Sequence, residues 1–173
     1  PSTVADARDL LIASVLCKDP VVYIDDRWLY DQEAELLPVH EIRLEDQKPM
    51  ITQSGVDITI VASGHASLLA REASKQLKNK DILSEVIDIR VLNPFNAEVI
   101  IESVMKTKHL LVVDSGWLST GFSGEIVAKV IERLPVGCLQ KPPVRIALPD
   151  APAPTSRVLE KIYYTSVDDV LNG

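Results

Sequence analysis

Long apolar runs are missing from this chain: none approaches the ~20 residues that a membrane-spanning helix needs, so a spanning helix is excluded. Basic clusters are missing as well. The 173 residues carry 18 Lys and Arg against 25 Asp and Glu, a net charge of -7, with no patch suited to a phosphate backbone or an anionic membrane surface. Neither nucleic acid nor membrane is therefore expected as a partner. Cysteine is scarce: Cys17 and Cys138 lie far apart and read as two reduced thiols. His40 and His109 show no metal-ligand spacing to each other or to the cysteines, so no metal site is expected. Pro1 opens no signal peptide, which makes the cytoplasm or the mitochondrial matrix the expected location. A first residue other than Met suggests a piece of something longer.

What the chain does contain is a repeating pattern of short apolar runs and helical stretches. Ile58–Ala62, Glu85–Arg90 and Leu110–Asp114 are rich in Val and Ile and read as strands. Between them, Ala66, Leu69, Ala70, Ala73 and Leu77 share one helical face, and Ala97, Ile100, Ile101 and Val104 share another. Such alternation predicts an α/β fold with three layers, a mostly parallel sheet covered by helices on both faces. A further helix is expected over 125–134, a short strand over 144–147 and a last helix over 167–171. The prolines at 149, 152 and 154 argue against regular structure up to Ser156.

The N-terminal part is different. Ala5–Leu16 reads as a helix capped by Thr3, and Val21–Ile24 as a strand entered through Pro20. This pair is too small to own a core and is expected to be left over from an upstream α/β domain. From Asp25 to Gln53 no period is sustained, as in an interdomain linker packed by its aromatics. Three parts are thus expected: an incomplete upstream domain over 1–30, a linker over 31–54 and a compact domain over 55–173.

Candidate chemistry is thin. The loop from Gly116 to Gly124 has three glycines ahead of a helix, but neither the Gly-Lys-Ser/Thr of a P-loop nor the spacing of a dinucleotide site. It reads as a structural turn with Thr120 or Ser123 capping. His65 follows the first strand of the compact domain, where open α/β sheets bind ligands, yet no carboxylate or nucleophile stands beside it in a recognised pattern. A surface histidine near a subunit contact is the favoured reading. Asp25–Asp26 and Asp168–Asp169 read as solvated charge, since adjacent side chains point apart. No catalytic residue is expected within the chain.

Taken in order, the motifs Gly55–Gly64, Glu85–Pro94 with Phe95 to Glu98, Ser103–Thr107, Val112–Trp117 and Gly121–Glu125 resemble the C-terminal domain of the transketolase-like superfamily. The resemblance is greatest to the β subunit of the thiamine diphosphate-dependent decarboxylase component of 2-oxo acid dehydrogenase complexes, and Ser2 to Tyr30 resembles the end of that subunit's pyrimidine-binding domain. It implies a parent that decarboxylates a 2-oxo acid oxidatively and passes the acyl group to lipoyl, using thiamine diphosphate and Mg. The activating glutamate and the catalytic histidine would lie upstream of Pro1, so no cofactor-binding residue is expected here and the piece alone should be inactive. Implied partners are an α subunit, a second β subunit in an α2β2 assembly and a dihydrolipoyl acyltransferase. Subunit or acyltransferase contacts are expected at His65, Trp117, Gln140 and Lys141. Where the family carries an acidic docking residue this chain has Gln140 with Lys141 beside it, which removes an ion pair from that contact. Two alternatives are a standalone interaction module of the same fold and the C-terminal part of another transketolase-like enzyme such as deoxyxylulose-phosphate synthase. Against the latter, the strand-end motif Asp25 to Tyr30 lacks that enzyme's Arg-Tyr-Pro-Arg pattern.

Overall fold

The computed structural model describes residues 1–39 and 42–173; His40 lies outside the described residues. A five-stranded sheet organises the chain. Its strands are β1 (Met50–Gln53), β2 (Ile58–Ala62), β3 (Ser84–Asp88), β4 (Leu110–Trp117) and β5 (Val144–Leu148), in the order β1-β3-β2-β4-β5. β3, β2, β4 and β5 run parallel, and β1 closes one edge antiparallel to β3. The mostly parallel α/β architecture expected from the alternating runs is the one observed.

Side-chain alternation in the strands sorts the core into two layers. Ile60, Ala62, Val86, Leu111 and Val113 face α2 (His65–Lys78), whose Ala66, Ala70 and Ala73 are fully buried, together with Val170 of α6 (Val167–Asn172). Their neighbours Val61, Ile87 and Val112 face α3 (Glu98–Thr107) and α4 (Phe122–Ile131), which contribute Ile100, Val104, Ile126 and Val130. The alanine stripe lets α2 lie close to the sheet.

One polar contact fastens this second layer. Thr59 of β2 is fully buried, and its hydroxyl lies 2.6 Å from Ser103 Oγ and 2.7 Å from Thr107 Oγ1, both on α3. Replacing Thr59 by the isosteric Val removes one shared partner from two buried hydroxyls. Thr59→Val is expected to lower stability by about 1–2 kcal/mol, seen as a lower urea midpoint at unchanged slope; an unchanged midpoint would show that the three hydroxyls do not depend on one another.

Several sequence expectations need correction. α1 (Val4–Leu16) is capped as expected, with the Asp6 N–H donating to Thr3 Oγ1 at 3.1 Å, but Val21–Ile24 forms no strand. No described strand lies alongside to complete a ladder, and Val22 and Ile24 stay exposed. The stretch from Asp25 to Gln53 is not wholly irregular: it holds 3-10 turns at Arg27–Leu29 and Leu44–Asp46, and it ends in β1. β3 stops at Asp88 because Arg90 turns the chain in the left-handed region, at φ 64°. β4 continues to Trp117, which pairs with Leu148, so Gly116 and Trp117 belong to a strand rather than a loop. α4 starts at Phe122, three residues before the expected Glu125. α5 (Arg157–Tyr163) was not legible because its Val158, Leu159 and Ile162 are exposed and follow no buried face.

Candidate functional site

Parallel strands deliver their following loops to one edge of a sheet, and there the chain gathers its exposed aromatics. α2 begins at His65, just past the end of β2. Its first N–H donates at 3.1 Å to Asp26 Oδ2, and the same Asp26 takes the Trp28 N–H on Oδ1 at 3.1 Å. Asp26 is thus not simply solvated: it holds the segment at 25–30 against the positive end of α2. That placement sets the Trp28 ring on the His65 ring, with centroids 5.4 Å apart and planes 27° from parallel.

The contacts continue across the edge. Trp28 meets Tyr164 edge-on at 5.7 Å, Tyr164 meets Tyr163 at 5.1 Å, and Trp117 Nε1 donates to Tyr163 Oη at 3.1 Å. Tyr163 in turn donates to the Ala151 carbonyl at 2.7 Å. Five rings therefore form one row, with Trp28 62% and Trp117 51% exposed. Aromatic pairs of this geometry contribute about 0.5–1.5 kcal/mol each beyond their burial. The exposed apolar residues of α5 adjoin Tyr163 in sequence and widen the surface. Large exposed aromatics held rigid by neighbours are suited to a protein contact.

Trp117 owes its position to Asp114. This carboxylate accepts from the Gly116 N–H at 2.8 Å and from the Ser123 N–H at 2.7 Å, closing the turn between β4 and α4. The capping expected of Thr120 or Ser123 falls to Asp114 instead. Thr120 sits at φ 59°, and the Ser123 hydroxyl is buried without a hydrogen-bond partner.

Gln140 and Lys141 stand elsewhere. The Gln140 N–H donates at 3.1 Å to the carbonyl of Lys108, the residue that ends α3 just before β4, and both side chains are exposed. Lys108 precedes β4 and Trp117 ends it, so the two lie at opposite ends of a strand about 23 Å long at the usual rise. Of the four expected contact residues, the structure joins His65 and Trp117 in one row and leaves Gln140 with Lys141 on the opposite edge. Sequence reasoning missed Asp26, Trp28, Tyr163 and Tyr164 as members of the row. The one available signal was that Trp28, Tyr163 and Tyr164, in a chain with few aromatics, stand at positions without a core period.

Groups of three or more His, Cys, Asp or Glu arranged to hold a metal are absent among the described residues. No described helix is long and apolar enough to cross a membrane.

The profile of the family described as "Transketolase, C-terminal domain" matches residues 47–170. The chain belongs to that family. It is 34% identical over 179 residues to "Pyruvate dehydrogenase E1 component subunit beta, mitochondrial" of Caenorhabditis elegans, covering 100% of this chain and 50% of the relative. Against "2-oxoisovalerate dehydrogenase subunit beta 2, mitochondrial" of Arabidopsis thaliana it is 30% identical, covering 100% of this chain and 48% of the relative. Among solved structures it resembles "Split gene transketolase, inactive beta4 tetramer", with a TM-score of 0.64, 26% identity, and coverage of 76% of this chain and 41% of the other. The chain spans about half the length of the curated relatives it matches. As a transketolase C-terminal domain it has its five strands and both helical layers in place, and residues 1 to 46 stand outside the matched region.

Proposed function

We propose that this chain is the C-terminal half of the β subunit of a thiamine diphosphate-dependent 2-oxo acid dehydrogenase, and that it supplies contact surfaces rather than reacting groups. The similarity along its whole length to β subunits of pyruvate and 2-oxoisovalerate dehydrogenases carries this conclusion. In the parent, the reaction would be oxidative decarboxylation of a 2-oxo acid with acyl transfer to lipoyl. A mitochondrial-matrix or bacterial cytoplasmic location goes with that role.

Thiamine diphosphate and its Mg do not fit the residues present. A diphosphate would seek free N–H groups at a helix start, but the N-termini of α2 and α4 are already occupied by the carboxylates of Asp26 and Asp114. Those negative charges repel a second anion, and no cluster of metal ligands stands near them among the described residues. No step of the reaction is assigned to this half.

The aromatic row from His65 to Trp117 is the proposed contact with another subunit, either the α subunit or a second β subunit in an α2β2 assembly. Gln140 and Lys141, on the other edge, are the proposed face for the acyltransferase, with the neutral Gln140 where an acidic side chain would otherwise meet a basic partner and the cation Lys141 beside it. Residues 1–30 are proposed as the tail of an upstream domain, supported by the exposure of Val15, Val22 and Ile24, which a sheet partner would cover.

The test uses the full-length protein together with its α subunit. Decarboxylation of a 2-oxo acid dependent on thiamine diphosphate is expected. Calorimetry on the 173 residues alone should show no binding of the cofactor, and tight binding there would overturn the proposal. Trp117→Ala together with Trp28→Ala is expected to weaken subunit assembly by about 100-fold in dissociation constant, the loss typical of two central aromatic anchors; unchanged assembly by sedimentation would remove the row from the interface.

A further inference from the structure

α1 buries little apolar surface against the rest of the chain. Only Leu10 and Ala13 among its apolar residues are buried, while Leu11, Val15 and Leu16 are exposed. Leu10 and Ala13, with Val4 and Ile12 half-buried beside them, give this 13-residue helix a narrow apolar seat that by itself sets its angle on the sheet only loosely. Something else holds it on the sheet.

The polar contacts answer that need. Arg90 donates from Nε to both oxygens of Asp6 at 3.1 Å and from Nη2 to Asp6 Oδ1 at 2.7 Å, with the two side chains 12% and 9% exposed. Its Nη1 reaches the Lys48 carbonyl at 3.4 Å, just ahead of β1. One turn before Asp6, the Ser2 hydroxyl donates to Asp88 Oδ2, the last residue of β3. Arg71 of α2 donates to Ser2 Oγ at 3.1 Å and to the Ser2 carbonyl at 3.2 Å. Arg90 is placed to do this by its backbone, since φ 64° turns the chain sharply at the end of β3; a left-handed residue with a side chain is strained unless its surroundings hold it.

We propose that Asp6–Arg90 and Ser2–Arg71–Asp88 form a polar latch that fixes the orientation of α1 relative to the sheet, so that Arg90 and Arg71 are positioning residues for whatever α1 belongs to. The proposal deepens the reading of residues 1–30 as part of an upstream domain: the latch sets the angle at which this half presents that domain. Burying a charged pair adds little net stability but imposes one geometry, because each partner is costly to leave alone. Fork-shaped Arg–carboxylate pairing makes that geometry specific.

Spin labels test it on the 173-residue chain, at Val15→Cys on the exposed side of α1 and Lys78→Cys at the end of α2, with Cys17→Ser and Cys138→Ser as background. The parent chain is expected to give one narrow distance distribution. Arg90→Met should widen it at least twofold and speed amide exchange in α1 by more than about tenfold, while β2, β3 and β4 keep their protection. Arg90→Lys, which retains the charge but not the fork, is expected to fall between the two, and it decides the matter by the same comparison if Arg90→Met does not fold. An unchanged width with the sheet folded, or equal loosening of α1 and the sheet, would overturn the latch. Decarboxylation by the full-length protein with its α subunit judges the subunit reading separately: its absence leaves a latch shown by spin labels standing, and its presence does not rescue a latch that the labels reject.

Discussion

Gly121→Ala is expected to destabilise the chain by about 3–5 kcal/mol or prevent it from folding, the scale of a severe overpacking or strain defect. A Cβ at Gly121 would lie 2.0 Å from the Trp117 carbonyl oxygen and 3.0 Å from Asp114 Oδ2. Neither neighbour is free to yield. The Trp117 carbonyl is backbone at the end of β4, paired with Leu148, and Asp114 is held by the Gly116 and Ser123 N–H groups. The backbone conformation of Gly121 itself is ordinary, at φ -71°, so the requirement for glycine is space alone. Gly124→Ala is the control: it sits inside α4 with only Arg145 Nη1 within reach, at 3.6 Å, and it should leave stability unchanged or raise it by about 0.5–1 kcal/mol. Denaturant unfolding of the two variants, followed by tryptophan fluorescence, checks both. A Gly121→Ala chain as stable as its parent would mean that the turn presenting Trp117 is not packed as described.

Asp88→Asn should act in the opposite direction, raising stability at neutral pH by about 1–3 kcal/mol, the cost of an incompletely paired buried polar or charged group. Asp88 is fully buried; burial pushes its carboxyl up from the ordinary value of 3.8, the Ser2 hydroxyl and the N-terminal ammonium oppose the shift, and the nearby Asp6 carboxylate adds to it. Oδ1 makes no hydrogen bond of good geometry, and the buried Ser67 hydroxyl, close enough to ease its charge slightly, is likewise unpaired. The sign follows from linkage. A carboxyl whose folded pKa is raised binds its proton more tightly when folded. Its stabilising contribution is full below the unfolded pKa and is lost as pH rises through the folded one. The gain from Asn, which cannot ionise, should therefore be absent in acid, grow from pH about 4 upward and level off above the raised pKa. Thermal melts of both proteins across that range provide the comparison, and a constant difference at every pH would mean that Asp88 does not titrate on unfolding.

Glu85 shows the contrasting outcome for a carboxyl of the same strand. Burial pushes it up, yet the Lys106 ammonium at 2.5 Å, the Ser103 hydroxyl and the Gly55 N–H together bring it below the ordinary range. One strand thus carries two buried acids whose environments separate them. Burial wins at Asp88, where few partners oppose it, and loses at Glu85, where a cation and two donors do.

The sequence by itself determined the sheet and its two helical layers. Short continuous Val and Ile runs, and alanine or isoleucine stripes at helical spacing, encode burial directly, and they place β2, β3, β4, α2 and α3 within a few residues. It also determined which chemistry to doubt, because nothing in the glycine loop or around His65 matched a reactive pattern. Only the tertiary structure decided the rest. Asp25–Asp26 reads as solvated charge until the segment at 25–30 is laid on α2, and Asp6 and Arg90, 84 positions apart, announce no pairing in a linear pattern. The same holds for Trp28, Tyr164 and Tyr163, which follow no core period and meet through contacts between segments distant in the chain. β1 and the end of β4 are strands because a neighbour's ladder completes them, not because their residues insist on it. Local periodicity reports what a residue buries; which remote side chain it meets is set by how the layers close, and the surfaces and the latch proposed for this chain belong to that second kind.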